Sequence, residues 1–142
     1  MELQNLVLDV EQQIEIKAAV GDVFESLLRR LGEDNTTPDE KAMPMRLERW
    51  PGGRWFRDLD NRAGHLWGFV QVIKPPTLLE LHGPMFMSYP VSGHLSLRLS
   101  QVPGGTQLAL RHRALGMIED EHRQGVTAGW GHYLNCVKND AE

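Results

Sequence analysis

Two long runs, residues 91–101 and 106–114, alternate apolar and polar side chains and are joined by a turn at Pro103-Gly104-Gly105. Leucines occupy every second position from 95 to 99, and Leu108, Leu110 and His112 share one register in the second run. A period of two with one polar face is typical of half-buried antiparallel strands, and glycine supplies the positive φ of a tight turn. The chain must therefore contain a sheet whose apolar face needs a cover.

The last segment, residues 119–138, has the properties of that cover. It contains no proline, opens with three acidic residues that suit a helix N-terminus, and returns to helical spacing. One stripe comprises His122, Val126, Trp130, Tyr133 or Leu134, and Val137. Gly125, Gly129 and Gly131 each cost a helix about 0.5–1 kcal/mol against alanine. Their presence predicts either a close backbone approach or free room beside the helix.

The remaining segments complete an α+β order. A strand is predicted over 5–17, an amphipathic helix from Val20 to Leu31, and a polar, mobile loop over 33–44. Further strands follow at 45–50, 55–58, 64–73 and 78–82. We predict a helix-grip fold in a single domain over 1–142. A curved antiparallel sheet of about six to seven strands wraps a long C-terminal helix, and one short helix follows the first strand.

Composition narrows the class of protein. Hydrophobic residues at 41% and charged residues at 24% are typical of soluble globular proteins, and the net charge of −4 argues against nucleic-acid binding. Cys136 is the single cysteine, so no intrachain disulfide can form, which suits a reducing compartment. The absence of a signal-like N-terminus or a long apolar stretch predicts a cytoplasmic protein without membrane insertion.

Several motifs, in order and spacing, resemble a known superfamily. They are Ile14-Glu15-Ile16-Lys17-Ala18, Val23-Phe24, Trp50-Pro51-Gly52-Gly53-Arg54-Trp55, Gly68-Phe69-Val70-Gln71-Val72-Ile73-Lys74-Pro75-Pro76, Leu78-Leu79-Glu80-Leu81 and Gly129-Trp130. Over roughly residues 10–138 the chain resembles the START-like, birch-pollen-allergen-like helix-grip superfamily. Within it, the chain is similar to the bacterial branch related to the activator of the ninety-kilodalton heat-shock protein ATPase.

The resemblance implies a cavity between sheet and long helix, which in relatives holds lipids, sterols, polyketides or other hydrophobic molecules. The superfamily includes binding proteins, aromatic-ring cyclases and co-chaperone domains, and it has no universal catalytic motif. This chain departs from the common pattern at Ala19, where relatives often have proline, and in the short polar loop at 33–44. Because of the second departure, the loop at the mouth of the cavity can be interpreted either as a lid or as a plain connection.

Inward-facing and flexible apolar residues are the candidates for ligand binding, because ligand pockets are mainly apolar with a few polar groups. They are Trp55, Trp67, Phe69, Leu81, Met85, Phe86, Met87, Leu97, Leu110, His112, Trp130 and Tyr133. For any single one of them, an ordinary core position is the favoured interpretation, since buried aromatic side chains mostly pack. His112 is either a polar anchor or general acid/base, or a hydrogen-bonded core histidine.

No cofactor or metal is predicted. Helical spacing places His132 and Cys136 on one face, but two side chains are only half of a zinc site. The nucleophile-elbow and phosphate-loop motifs are absent from the sequence, so no catalytic residue is assigned.

Three functional hypotheses remain. The first is a noncatalytic carrier or sensor of a small hydrophobic molecule. The second is an enzyme resembling polyketide cyclases, with His112 and Tyr133 converging in one pocket on an aromatic substrate. The third, which depends on resemblance alone, is a chaperone-partner module. We expect a monomer or a weak homodimer.

Overall fold

The computed structural model describes residues 2–142. A short 3-10 turn at Leu3–Leu6 leads into ten-residue strand β1. The elements are β1 (Val7–Ile16), α1 (Val20–Leu31), β2 (Arg46–Leu47), β3 (Arg54–Asp58), β4 (Gly64–Lys74), β5 (Leu78–His82), β6 (Val91–Val102), β7 (Gly105–Gly116) and α2 (Asp120–Ala141). The order of strand, helix, loop, six strands and helix agrees with the sequence prediction. Within the described residues, no helix is long and apolar enough to cross a membrane.

The seven strands form one antiparallel sheet in the order β1-β7-β6-β5-β4-β3-β2. The chain therefore runs as a meander from β2 to β7, and β1 pairs with β7 along its full length, from Val7–Leu115 to Ile16–Thr106. Helix α2 packs against β1 and α1. This is the predicted helix-grip architecture, with the apolar face of the sheet turned toward the long helix.

The inward register of the two longest strands is the predicted one. Leu95, Leu97 and Leu99 of β6 are at most 4% exposed, and on β7 Leu108, Leu110 and His112 are at most 1% exposed. Leu95 lies opposite His112, and Leu97 lies opposite Leu110. The alternation thus places a histidine in the middle of an otherwise apolar layer.

Helix α1 is tied to α2 through its apolar face. Its buried residues include Val23, Leu27 and Leu31, at the spacing of one helical stripe, and Gly32 ends it. The buried hydroxyl of Ser26 donates a hydrogen bond to the carbonyl of Val137 at 2.9 Å. This bond fixes the C-terminal half of α2 against α1.

The sheet differs from the prediction in two places. Strand β2 covers only Arg46–Leu47 instead of 45–50. Strand β4 carries a β-bulge, because Gly68 pairs with Trp55 and Leu66 pairs with Phe56, so that Trp67 is an extra residue. A bulge changes the parity of inward and outward positions. The expectation that Phe69 faces inward is therefore wrong; it is 36% exposed and its ring lies 5.7 Å from His82 on the outer face.

Candidate functional site

A cavity of about 480 Å³ lies between α2, the 33–44 loop and the aromatic side chains at one end of the sheet. Its wall consists mainly of apolar and aromatic side chains, with a few polar groups. The lining residues are Arg30, Leu31, Asn35, Thr36, Thr37, Pro38, Met43, Trp55, Trp67, Phe86, Glu121, His122, Gly125, Val126, Gly129, Trp130, His132, Tyr133 and Cys136. By contrast, the surface cleft that includes Glu80, Arg98 and Arg111 is lined mainly by charged and other polar residues.

Aromatic rings in edge-to-face contact form the inner wall. Trp55 and Trp67 have ring centroids 5.1 Å apart, and Trp67 and Phe86 have centroids 6.1 Å apart. Trp130 and Tyr133 form a similar pair at 5.7 Å on α2. Such contacts stabilise aromatic clusters beyond the burial of their area.

The polar atoms of two of these rings are already bound to backbone. Trp55 Nε1 donates to the carbonyl of Leu31 at 2.8 Å, and the hydroxyl of Tyr133 donates to the carbonyl of Leu27 at 3.1 Å. Burial raises the pKa of Tyr133 well above its usual value, so its hydroxyl stays protonated near neutral pH. These groups hold the wall together and leave ring surface toward the cavity.

Two glycines open the α2 side of the cavity. An ideal Cβ built at Gly125 or Gly129 meets no heavy atom of residues 2–142 within 4 Å, apart from its immediate chain neighbours and the helix's own backbone. Both glycines line the cavity next to Val126 and Trp130. Of the two interpretations that the sequence allowed for these glycines, free room beside the helix is the one found here.

The loop at 33–44 forms the opposite wall. A bridge between Thr36 and Ala42 folds it back on itself, and Asn35 Nδ2 donates to the carbonyl of Met43 at 3.1 Å. Thr36 Oγ1 lies 3.4 Å from Nε2 of His132 on α2, which connects the loop to the helix. The loop is therefore part of the site, a role that its polar composition did not predict.

Polar groups gather where the loop meets α2. His132 Nε2 lies 3.5 Å from the sulfur of Cys136 as well as close to Thr36, and both His132 and Cys136 line the cavity. Arg30 lines it too, and its Nη2 donates to Asp140 at 3.1 Å. The i, i+4 pair seen in the sequence thus faces the cavity, although nothing in the sequence linked it to a ligand.

His122 closes another part of the wall. Its ring stacks on Tyr89 with centroids 5.5 Å apart, and its Nδ1 lies 2.7 Å from the Tyr89 hydroxyl. The ring also meets Phe86 edge-to-face at 5.4 Å. His122 had been placed only at the start of the helical stripe, and its proximity to Tyr89 across 33 residues is visible only in the folded chain.

His112 lies one layer deeper than the cavity wall. Its Nδ1 accepts a hydrogen bond from Trp130 Nε1 at 3.0 Å, while its Nε2 has no hydrogen-bond partner in the described chain. Burial lowers the pKa of His112 to about 4, with the charge of His94 as a second cause, so the ring is neutral near pH 7. Of the two interpretations that the sequence allowed for His112, the contacts agree with a hydrogen-bonded core histidine.

The structure brings together five of the twelve candidate ligand-binding residues on the cavity wall: Trp55, Trp67, Phe86, Trp130 and Tyr133. Leu81, Met85, Met87, Leu97 and Leu110 lie in the packed core and are at most 2% exposed. His112 lies beneath the wall, and Phe69 lies on the outer face.

His112 and Tyr133, the pair of the cyclase-like hypothesis, form hydrogen bonds with different partners. The Trp130 ring contacts both partners, with centroid distances of 5.6 Å to His112 and 5.7 Å to Tyr133. The Tyr133 hydroxyl is directed at the backbone of α1 through Leu27. General acid/base chemistry by this pair would need both side chains within hydrogen-bond reach of one substrate, whereas here the Tyr133 hydroxyl is bound to Leu27 and His112 Nδ1 is bound to Trp130.

Solved structures with similar folds are only distantly related in sequence. The di-domain ARO/CYC StfQ from the steffimycin biosynthetic pathway matches 98% of this chain at 16% identity with a TM-score of 0.69. This chain spans about half of it, 52% of its length. A protein from Rhizobium leguminosarum matches 95% of this chain and 94% of its own, at 14% identity and a TM-score of 0.72.

Ara h 8.0201 matches 94% of this chain and 96% of its own, at 14% identity and a TM-score of 0.65. At these identities the likeness shows the fold alone.

No curated protein sequence matches the chain. A family model described as "Activator of Hsp90 ATPase homolog 1-like protein" matches residues 36–139, more than half of the chain. The chain therefore belongs to the Activator of Hsp90 ATPase homolog 1-like protein family.

Proposed function

We propose that this protein binds a small hydrophobic molecule in the cavity beside α2 and acts as a noncatalytic carrier or sensor. The observation that carries the proposal is the cavity itself, about 480 Å³ of space lined mainly by apolar groups in a chain of 142 residues. Ligand pockets are clefts or cavities of about 300–1,000 Å³ lined mainly by apolar side chains, and the volume found here lies in that range. A space of this size supports a ligand rather than a packing defect.

The wall favours a flat or aromatic ligand. Trp55, Trp67, Phe86 and Trp130 present ring surface from both sides of the cavity, and aromatic ligands pack well by offset or edge-to-face contacts. The polar side chains of His132 and Thr36 meet at one part of the wall. A ligand with a polar end would place it there, with its apolar body against the tryptophans.

The test places a side chain in the cavity without disturbing the core. In Gly129→Leu the new side chain enters free space, and replacing a helical glycine stabilises the fold by about 0.5–1 kcal/mol. We expect about tenfold or more weaker binding of the fluorescent probe 1-aminoanthracene, because leucine occupies the ligand's volume. Fluorescence titration measures the affinity, and urea denaturation measures the stability.

Gly21→Leu is the matched control. Gly21 is an exposed residue of the other helix, α1. Apart from its immediate chain neighbours and the helix's own backbone, its ideal Cβ also meets no heavy atom of residues 2–142 within 4 Å. Gly21→Leu should bind the probe as the unaltered protein does. Equal binding by Gly129→Leu and the unaltered protein would place the probe outside the cavity and contradict the proposal.

A second candidate, a chaperone-partner module, is supported by the family to which the chain belongs. Such a role would use the protein surface instead of the cavity, so Gly129→Leu should leave it intact. The ATPase rate of a purified ninety-kilodalton heat-shock protein, measured with and without this protein, tests it. An unchanged rate at saturating protein would remove this candidate and leave the ligand-binding proposal in place.

A further inference from the structure

His112 carries a buried hydrogen-bond donor without an acceptor. Its side chain is 0% exposed, and Nε2 has no partner among residues 2–142. The indole of Trp130 can only donate, so Nδ1 of His112 must be the acceptor in their hydrogen bond. A neutral imidazole with an accepting Nδ1 carries its proton on Nε2. The unpartnered atom is therefore an N–H group, and buried groups of this kind are nearly always paired in folded proteins.

Phe86 connects the His112 ring to the cavity wall. The Phe86 ring lines the cavity and also meets the His112 ring edge-to-face, with centroids 6.3 Å apart. It stands on the connection between β5 and β6, next to Met85, whose φ of +57° lies in the left-handed region. The Phe86 side chain is partly exposed, whereas the Met85 side chain on the same connection is 2% exposed.

We propose that the ligand carries a hydrogen-bond acceptor, a carbonyl or ether oxygen, and that this oxygen displaces the Phe86 ring and accepts the Nε2 proton of His112. The inference depends on the proposed ligand binding in the cavity and adds the chemical class of the ligand, an aromatic ketone or ether. Trp130 acts as a positioning residue, because its indole donor fixes the tautomer of His112.

This arrangement favours ligands that present a hydrogen-bond acceptor to His112 over ligands that present a donor. A ligand acceptor satisfies the Nε2–H group, whereas a ligand donor would point one N–H group at another and stay unpaired in an apolar site. Burial also keeps the ring neutral, which preserves the single donor over the range near neutral pH. The site thus distinguishes molecules of the same shape by one atom.

Three rigid molecules of nearly equal shape test this selection. Fluorenone offers a carbonyl acceptor, carbazole an N–H donor and fluorene neither. Their affinities are measured by displacement of 1-aminoanthracene. We expect fluorenone to bind about fivefold more tightly than fluorene, the effect of one neutral hydrogen bond, and carbazole to bind no better than fluorene.

Two variants assign the preference to His112. His112→Leu and His112→Gln both remove the imidazole that accepts from Trp130, but only glutamine keeps an N–H donor near the position of Nε2. The preference for fluorenone should disappear in His112→Leu and persist in His112→Gln. Should these variants not fold, ¹⁵N-resolved NMR of the unaltered protein is decisive, because fluorenone and not fluorene should shift the His112 Nε2 resonance.

The outcomes separate this inference from the proposed function. Equal affinities for fluorenone and fluorene, or a fluorenone complex in which the Nε2 resonance does not move, would overturn the inference and leave ligand binding standing. If none of the three molecules and no probe binds the folded protein, the proposed function falls and the inference falls with it.

Discussion

Trp130 and His112 form a buried donor–acceptor pair that joins the long helix to the sheet. Nε1 of Trp130 on α2 donates to Nδ1 of His112 on β7 over 3.0 Å, and the two rings meet edge-to-face at 5.6 Å. Trp130 is 7% exposed and His112 is 0% exposed. The same tryptophan lines the cavity, so one residue contributes to both the fold and the proposed site.

Trp130→Phe should destabilise the protein markedly. The variant keeps an aromatic ring but leaves His112 Nδ1 buried without a donor, which costs about 1–3 kcal/mol in the free energy of unfolding. Urea denaturation at pH 7 measures the change. Trp50→Phe is the matched control, because Trp50 is 57% exposed, and its effect should stay within about 0.5 kcal/mol. Equal stabilities of the two variants would show that the buried hydrogen bond contributes nothing measurable.

His112 should make the protein less stable in mild acid. Its pKa is lowered from 6.5 to about 4 in the fold, so between these values the unfolded chain binds more protons than the native state. The free energy of unfolding therefore rises with pH in this window and falls as the pH drops from 6.5 toward 4. The contribution of this one group is on the order of 3 kcal/mol across the window.

The comparison with His112→Leu isolates that contribution, because the variant lacks the titrating ring and retains the other histidines and carboxylates. Urea denaturation of both proteins at pH 7 and pH 4.5 should give a smaller loss for His112→Leu. As the pH falls from about 4.5 toward 2, the Glu48 carboxyl adds a separate loss, since hydrogen bonds from Arg54 lower its pKa from 4.5 to about 2. Parallel stability profiles between pH 7 and 4.5 would contradict the assignment to His112.

Tyr133→Phe should affect stability and spare ligand binding. Its hydroxyl donates to the carbonyl of Leu27, so the phenylalanine variant loses one buried hydrogen bond worth about 1 kcal/mol. The ring that lines the cavity is kept, and the affinity for 1-aminoanthracene should change by less than about twofold. Loss of binding by a folded Tyr133→Phe protein would indicate that the hydroxyl turns to the ligand, as the cyclase-like hypothesis requires.

Alternation was sufficient to predict the inward faces of the two longest strands. Leu97 and Leu110 face each other across β6 and β7 because a regular strand has a strict period of two, which the sequence displays directly. Phe69 could not be placed by that rule. The bulge at Trp67 depends on how β4 pairs with β3, and strand pairing leaves no trace in the period of a single strand.

The cavity was predictable as a space beside α2 but not in its outline. Gly125 and Gly129 pointed to free room or close approach, and the packing of α2 decides between them. The wall opposite comes from the loop residues Thr36 and Met43, which reach the cavity only because the loop folds back through its bridge. Contacts between distant segments depend on the whole fold, so the sequence left this loop open as either a lid or a plain connection.

The alkylation rate of Cys136 reports directly whether a ligand occupies the cavity. It is the single cysteine, its side chain is partly exposed, and it lines the cavity beside His132. A bound ligand should shield its sulfur, and at ten times the dissociation constant of 1-aminoanthracene the alkylation by iodoacetamide should slow by about tenfold. Mass spectrometry follows the one added group over time.

Glutathione in the same solution is the internal control for the reagent, since its alkylation rate should not depend on the probe. The Gly129→Leu protein, in which leucine occupies part of the cavity and the affinity is about tenfold weaker, should show at most about a twofold slowing of the Cys136 rate at the same probe concentration. If the probe binds tightly to the unaltered protein and the Cys136 rate stays constant, the probe occupies a site away from α2. That result would exclude this cavity as the binding site even though the protein binds hydrophobic molecules.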